Sequence, residues 1–231
     1  MASKGKLKSN KPEVFYFHGF ASGPESEKAK YFKRKFKVFD IDVHTPDLNQ
    51  PDFQNLHLEA MVNFAKKQIL SVKSDNVILM GSSLGALIAL ILSNELENIR
   101  SQVLIAPAVT FPSSLTDLLG EEKLMEWKQT GIAQFYHHQK KTELPLSYSF
   151  VESFRDFNVN QILPSIPTQI FHGAFDERIP FLKVEEFAKS LPESEFHLLE
   201  TDHGMINKLD WMWREIIRFL DLDSLKESQD N

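Results

Sequence analysis

The 231-residue chain fits one large α/β domain or two small ones, and its 42% hydrophobic and 25% charged residues are ordinary for a globular protein with a sizeable core. It contains no cysteine, which excludes disulfides and cysteine-ligated metal sites and agrees with a cytoplasmic location. A net charge of −6 speaks against a nucleic-acid surface, and the longest apolar run, residues 84–92, is too short to span a bilayer.

Residues 1–11 carry Lys4, Lys6, Lys8 and Lys11 with no apolar stretch behind them. They read as a disordered basic tail, not a secretory signal. The main domain is expected over 12–222, followed by a polar tail over 223–231. Short apolar runs at 14–17, 38–43, 77–80, 103–105, 169–171 and 196–199 predict buried parallel strands. Between them the period is helical. Ala29, Phe32 and Phe36 share one face, behind a Pro24 suited to the first helical position. Leu58, Met61, Val62, Ala65 and Ile69 share another. Val184, Phe187, Ala188 and Leu191 repeat the pattern, and Leu209, Met212, Trp213, Ile216 and Leu220 close it. Alternating strands and helices predict a mainly parallel sheet of about six strands, covered on both faces.

The segment at about 107–159 breaks this rhythm. It shows no clear strand, a helix around 115–127, and many aromatic residues. A structureless loop of that length does not suit a compact domain, so a helical cap is expected there. Trp127, Tyr136, Tyr148 and Phe150 are its candidate substrate-pocket residues.

The chemistry centres on residues 76–90, where a strand runs into Gly81-Ser82-Ser83-Leu84-Gly85 and then an apolar helix. This is G-x-S-x-G in a strand–turn–helix context. A nucleophile on so sharp a turn leaves little room for side chains two residues before and after it, hence the glycines. The register selects Ser83 over Ser82. The helix N-terminus, through the N–H of Leu84, favours a developing anion. A serine hydroxyl also needs a base and an acid that orients it. Asp176 follows the strand ending at His172-Gly173, and His203 follows the strand at 196–199. Glu177 has the same chemistry as Asp176. Asp202 suits a cap of the final helix better. A second oxyanion donor is expected after the first strand, at the N–H of Phe20 behind Gly19, with Ala21 as the substitute. The adjacent His137 and His138 read as surface residues, and His172 and His197 as core or surface.

The stretches His18-Gly19-Phe20, Gly81–Gly85, HGAFDERIP and TDHGM, in that order, resemble the α/β-hydrolase superfamily over most of the chain. Within it the chain is similar to small single-domain serine esterases and depalmitoylating thioesterases. The resemblance implies an α/β-hydrolase fold with Ser83 as nucleophile, Asp176 as acid and His203 as base. It implies no cofactor and no metal. The usual opening β-hairpin finds only about a dozen polar residues before the first strand here.

The leading expectation is a hydrolase that cleaves small-molecule carboxylic esters or thioesters through an acyl-enzyme. The alternatives are an acyltransferase, a C–C hydrolase or a lyase on the same residues, and a non-catalytic ligand-binding protein of the same fold. A complete, correctly ordered set of three residues speaks against the last.

Overall fold

The computed structural model describes residues 11–227, the side chains of 225–227 excepted. The expected basic tail lies outside the described residues except for Lys11, which pairs with Asp40. The strands are β1 (Glu13–Phe17), β2 (Val43–His44), β3 (Val77–Ser82), β4 (Ile99–Ile105), β5 (Ile132–His137), β6 (Thr142–Ser147), β7 (Thr168–Gly173) and β8 (Ser194–Leu199). The helices are α1 (Glu27–Lys37), α2 (Leu58–Ser71), α3 (Leu84–Glu95), α4 (Ser114–Leu119), α5 (Glu121–Thr130), α6 (Ser149–Glu152), α7 (Phe181–Ser190), α8 (Leu209–Leu220) and α9 (Leu222–Glu227).

Six strands form one sheet in the order β2-β1-β3-β4-β7-β8, every pair parallel. This is the α/β-hydrolase arrangement expected from the sequence. Successive strand side chains point to opposite faces. Phe15, Phe17, Leu79 and Leu104 therefore pack with α2, α3 and α7. Val14, Tyr16, Ile78 and Met80 pack with Phe32 and Phe36 of α1 and Met212, Trp213 and Ile216 of α8. The chain leaves β1 toward β2 on one side and continues from β3 to β4, β7 and β8 on the other. The strand order thus reverses between β1 and β3, and a crevice opens there at the carboxyl ends of the strands.

Several local expectations change. The run at 38–43 is not a strand: α1 continues to Lys37, Val38 caps it, and Asp40 turns with φ 54° before the short β2. Phe39 and Ile41 are apolar because they are buried in the turn. Pro24 precedes α1, which is capped by Ser26, whose hydroxyl accepts from the N–H of Ala29 at 3.4 Å. The single helix at 115–127 is two, divided at Gly120 with φ 80°. The insertion between β4 and β7 is not helical throughout, since β5 and β6 pair antiparallel within it. Ala133, Phe135 and His137 alternate inward there. Residues 222–227, expected to be mostly polar tail, continue as α9 after a left-handed Asp221.

Candidate active site

Ser83 stands between β3 and α3 with φ 54° and ψ −118°, a backbone conformation that L-residues avoid. Its neighbours impose it. A Cβ on Gly81 would lie 2.4 Å from the carbonyl oxygen of Gly85, and one on Gly85 would lie 2.1 Å from that of Phe17. The N–H of Ser83 donates to Ile105 at 2.9 Å, and its carbonyl accepts from Ala86 and Leu87 at 3.0 and 3.2 Å. The turn is thereby pinned to β4 and to the first turn of α3. Leu84 is the first residue of α3, so helix geometry leaves its N–H without an intrahelical partner. Ser82 points the other way: it is 5% exposed and its side chain meets the Tyr16 hydroxyl.

The loop after β1 lies hard against this turn. Gly19 approaches so closely that a Cβ there would be 3.2 Å from the Ser82 carbonyl oxygen and 3.4 Å from Ser83 Cβ. Phe20 and Ser83 line one cavity. His18 holds the loop. Its Nε2 meets the N–H of Leu48 at 3.0 Å and lies 3.4 Å from Asp47 Oδ1, and its Nδ1 is 2.9 Å from the Gly19 carbonyl oxygen.

Asp176 and His203 meet from the ends of β7 and β8. His203 Nδ1 is 2.7 Å from Asp176 Oδ2, and their side chains are 12% and 0% exposed. Oδ1 of Asp176 accepts from the backbone N–H groups of Arg178 and Ile179, each at 2.9 Å. Burial opposes ionisation of Asp176, but His203 and those two N–H groups outweigh it and hold the carboxyl below the usual carboxylate range. Glu177 instead contacts Arg178 at 3.3 Å on the surface. Asp202 accepts from the N–H of Met205 at 3.0 Å, at the head of the turn leading into α8. Gly173 lets β7 pass this loop: a Cβ there would be 2.5 Å from the Thr201 carbonyl oxygen.

Ser83 and His203 line two cavities. One, of about 220 Å³, is apolar and roofed by the insertion through Phe111, Leu115, Leu118, Trp127, Phe135 and Phe150. The other, of about 430 Å³, is more polar, with Ser22, Ser26, Lys28, His138, Arg178 and Asp202 on its walls. Trp127, Tyr136 and Phe150 line the apolar cavity. Tyr148 is corrected: it stands edge-on behind Trp127 (centroids 5.5 Å apart) and does not line the cavity. His137, expected at the surface, is 1% exposed and stacks edge-on against Phe53, whereas the exposed His138 lines both cavities. His172 proves to adjoin Asp176. Lys28 was also missed. Its ammonium donates to the Gly204 carbonyl at 2.6 Å, tying α1 to the His203 loop, and burial lowers its pKa to about 8. Neither had a signal in the sequence, because each contact joins elements far apart in the chain or depends on side-chain direction. Among the described residues, no group of His, Asp and Glu is placed to hold a metal ion, and no helix is long and apolar enough to cross a membrane.

The fold recurs in solved structures. Est1E from Butyrivibrio proteoclasticus superposes with a TM-score of 0.74 at 16% identity, over 92% of this chain and 88% of that one. The α/β-hydrolase domain-containing protein 10 from mouse gives 0.71 at 21% identity, over 93% and 92%. An esterase from Exiguobacterium antarcticum gives 0.68 at 19% identity, over 91% and 92%. Identities this low establish the α/β-hydrolase fold and leave the reaction to be argued from the site. No curated protein matches the sequence. Residues 13–221, from the start of β1 to the end of α8, match the uncharacterised protein family UPF0227, and the chain belongs to that family.

Proposed function

We propose that the protein is a serine hydrolase that cleaves carboxylic esters or thioesters through an acyl-enzyme. The observation that carries this reading is the strained Ser83 at the head of α3, sharing a cavity with a His203 whose Nδ1 is held by the buried Asp176. Strain of this kind persists only where the surroundings over-determine it, and it concentrates at reacting groups. Asp176 fixes the His203 proton on Nδ1, which leaves Nε2 free to take the Ser83 proton as Oγ attacks the acyl carbon. The carbonyl π electrons move to oxygen, and the N–H groups of Leu84 and Phe20 receive that oxyanion. Collapse expels the alcohol or thiol, which takes the proton back from His203. Water then repeats the sequence and releases the acid.

The two cavities divide the substrate. The apolar one suits the acyl chain, because each buried CH₂ contributes about 0.8 kcal/mol. The more polar one suits a hydrophilic leaving group. Nitrophenyl esters and acyl-thioesters of graded chain length, with S83A as the blank, test this. kcat/KM should climb from acetyl to a medium chain and level off where the cavity ends. Turnover of neither series above the S83A blank refutes the reading.

A further inference from the structure

His172 has no part in the reaction just described, yet it lies against the residue that orients the base. Its side chain is fully buried, as is that of Asp176. Its Nε2 is 2.9 Å from the carbonyl oxygen of Ile179 and 3.3 Å from Asp176 Oδ2, the same carboxylate oxygen that His203 engages at 2.7 Å. Both partners of Nε2 are acceptors, so the proton must be on Nε2. Its Nδ1 is buried with no hydrogen-bond partner and therefore carries no proton. Burial pushes this imidazole down, in keeping with a neutral ring. An orphaned buried nitrogen costs stability, and packing alone is met more cheaply by an apolar ring.

We infer that His172 is a positioning residue for the candidate acid: its Nε2–H is donated to Ile179 and also lies 3.3 Å from Asp176 Oδ2, where the positive end of that N–H dipole favours the ionised carboxylate aimed at His203. Asp176 accepts three hydrogen bonds, from His203 Nδ1 on Oδ2 and from the Arg178 and Ile179 backbones on Oδ1, and the His172 Nε2 stands against Oδ2 at 3.3 Å beside them. The bond to Ile179 also closes the loop that supplies two of those donors. The titratable groups facing Asp176 are His203 from the loop after β8 and His172 from β7 itself. Glu177 and Arg178, its chain neighbours, direct their side chains to each other at the surface.

The sign of the effect follows. The positive end of an N–H dipole set against a carboxylate lowers the proton affinity of the coupled Asp176–His203 pair as a whole, however the proton is divided between them. Removing the donor raises that affinity, so the acid limb of the activity profile must move to higher pH. This rests on the serine-hydrolase reading, and the two can fail separately. If wild-type protein shows no Ser83-dependent ester turnover, that reading fails. The tautomer of His172 is still readable by ¹⁵N imidazole NMR of the wild-type protein. A neutral ring protonated at Nε2 between pH 6 and 8 is expected, and a proton on Nδ1 overturns the inference whatever the activity. With turnover in hand, H172F, which keeps a ring but no donor, should shift the acid limb of kcat/KM upward by roughly half to one pH unit, with KM little changed. H172Q, whose amide restores a donor, should return the limb toward the wild-type position. A limb unmoved in H172F, or moved equally in both variants, makes His172 a packing residue only. Should H172F fail to fold, the tautomer and the H172Q limb decide.

Discussion

The β3–α3 turn and the insertion between β4 and β7 face each other across the apolar cavity, and they are held by different physics. At the turn, backbone meets backbone. Gly81 and Gly85 leave no space for a Cβ, Ser83 is forced to φ 54°, and its N–H is fixed by Ile105. In the insertion, side chain meets side chain. Phe20 stacks on Phe150 at 5.6 Å, Phe111 meets Phe150 and Phe154, and Trp127 leans on Phe135 and bonds the Leu146 carbonyl at 2.9 Å. Backbone sterics tolerate almost no substitution, whereas aromatic packing accepts ring for ring. The first arrangement suits fixed chemistry and the second a variable substrate.

The difference sets an order of expected effects. At the turn, S83A should lower ester kcat/KM by roughly four or more orders of magnitude, while S82A, whose side chain faces Tyr16, should retain most of it. Equal losses would undo the assignment. At the β7 end, D176N should cost about 10⁴-fold near neutral pH by favouring the wrong imidazole tautomer, and E177Q only a few-fold. If E177Q is the crippling change, the acid lies one residue on. In stability, G85A should drive an atom into the Phe17 carbonyl and abolish cooperative thermal unfolding. G120A, where a Cβ meets nothing within 4 Å but φ is 80°, should cost only about 1 kcal/mol. In the insertion, Y136A should flatten the rise of kcat/KM with acyl length by about tenfold at medium chains while sparing acetyl ester. Y148A, behind the cavity wall, should leave that profile alone. The reverse ranking would move the acyl site.

The smallest effect is in pH dependence. His137, His172 and His197 are all pushed down by burial. The unfolded chain then binds more protons than the folded one below the free-histidine pKa of about 6.5. The stability at stake is complete above that pH and is lost as pH falls beneath it. Urea midpoints should therefore decline from pH 7.5 to 5, before the contribution of Asp176 and the other carboxylates with lowered pKa starts to be lost, which begins only as the unfolded chain protonates near the free-carboxylate pKa of about 4. A flat midpoint over that window would contradict buried neutral imidazoles.

The same contrast explains what the sequence could be read for. Strands of the parallel sheet are buried on both faces and stand out as apolar runs, and the G-x-S-x-G glycines mark a steric requirement visible in one dimension. Ser83, Asp176 and His203 each follow a legible strand, so their approach to one crevice was inferable from topology. The β5–β6 hairpin was not. Its turn, His138-Gln139-Lys140-Lys141, lacks the Asn-Gly or Asp-Gly pair that signals a hairpin, although Lys141 adopts φ 56°. The apolar Phe39 and Ile41 imitated a strand because a buried turn needs the same residues. His172, Lys28 and Tyr148 depend on where side chains point in three dimensions, which no periodicity encodes.

The central claim is that Ser83 is the activated nucleophile, and a fluorophosphonate probe tests it most directly. Mass spectrometry of wild-type protein labelled at pH 7.5 should find one adduct, on the peptide containing Ser83, and labelling should be abolished in S83A and slowed at least a hundredfold in H203A. An adduct on Ser82 or any other residue, or labelling of wild type no faster than H203A, would contradict it.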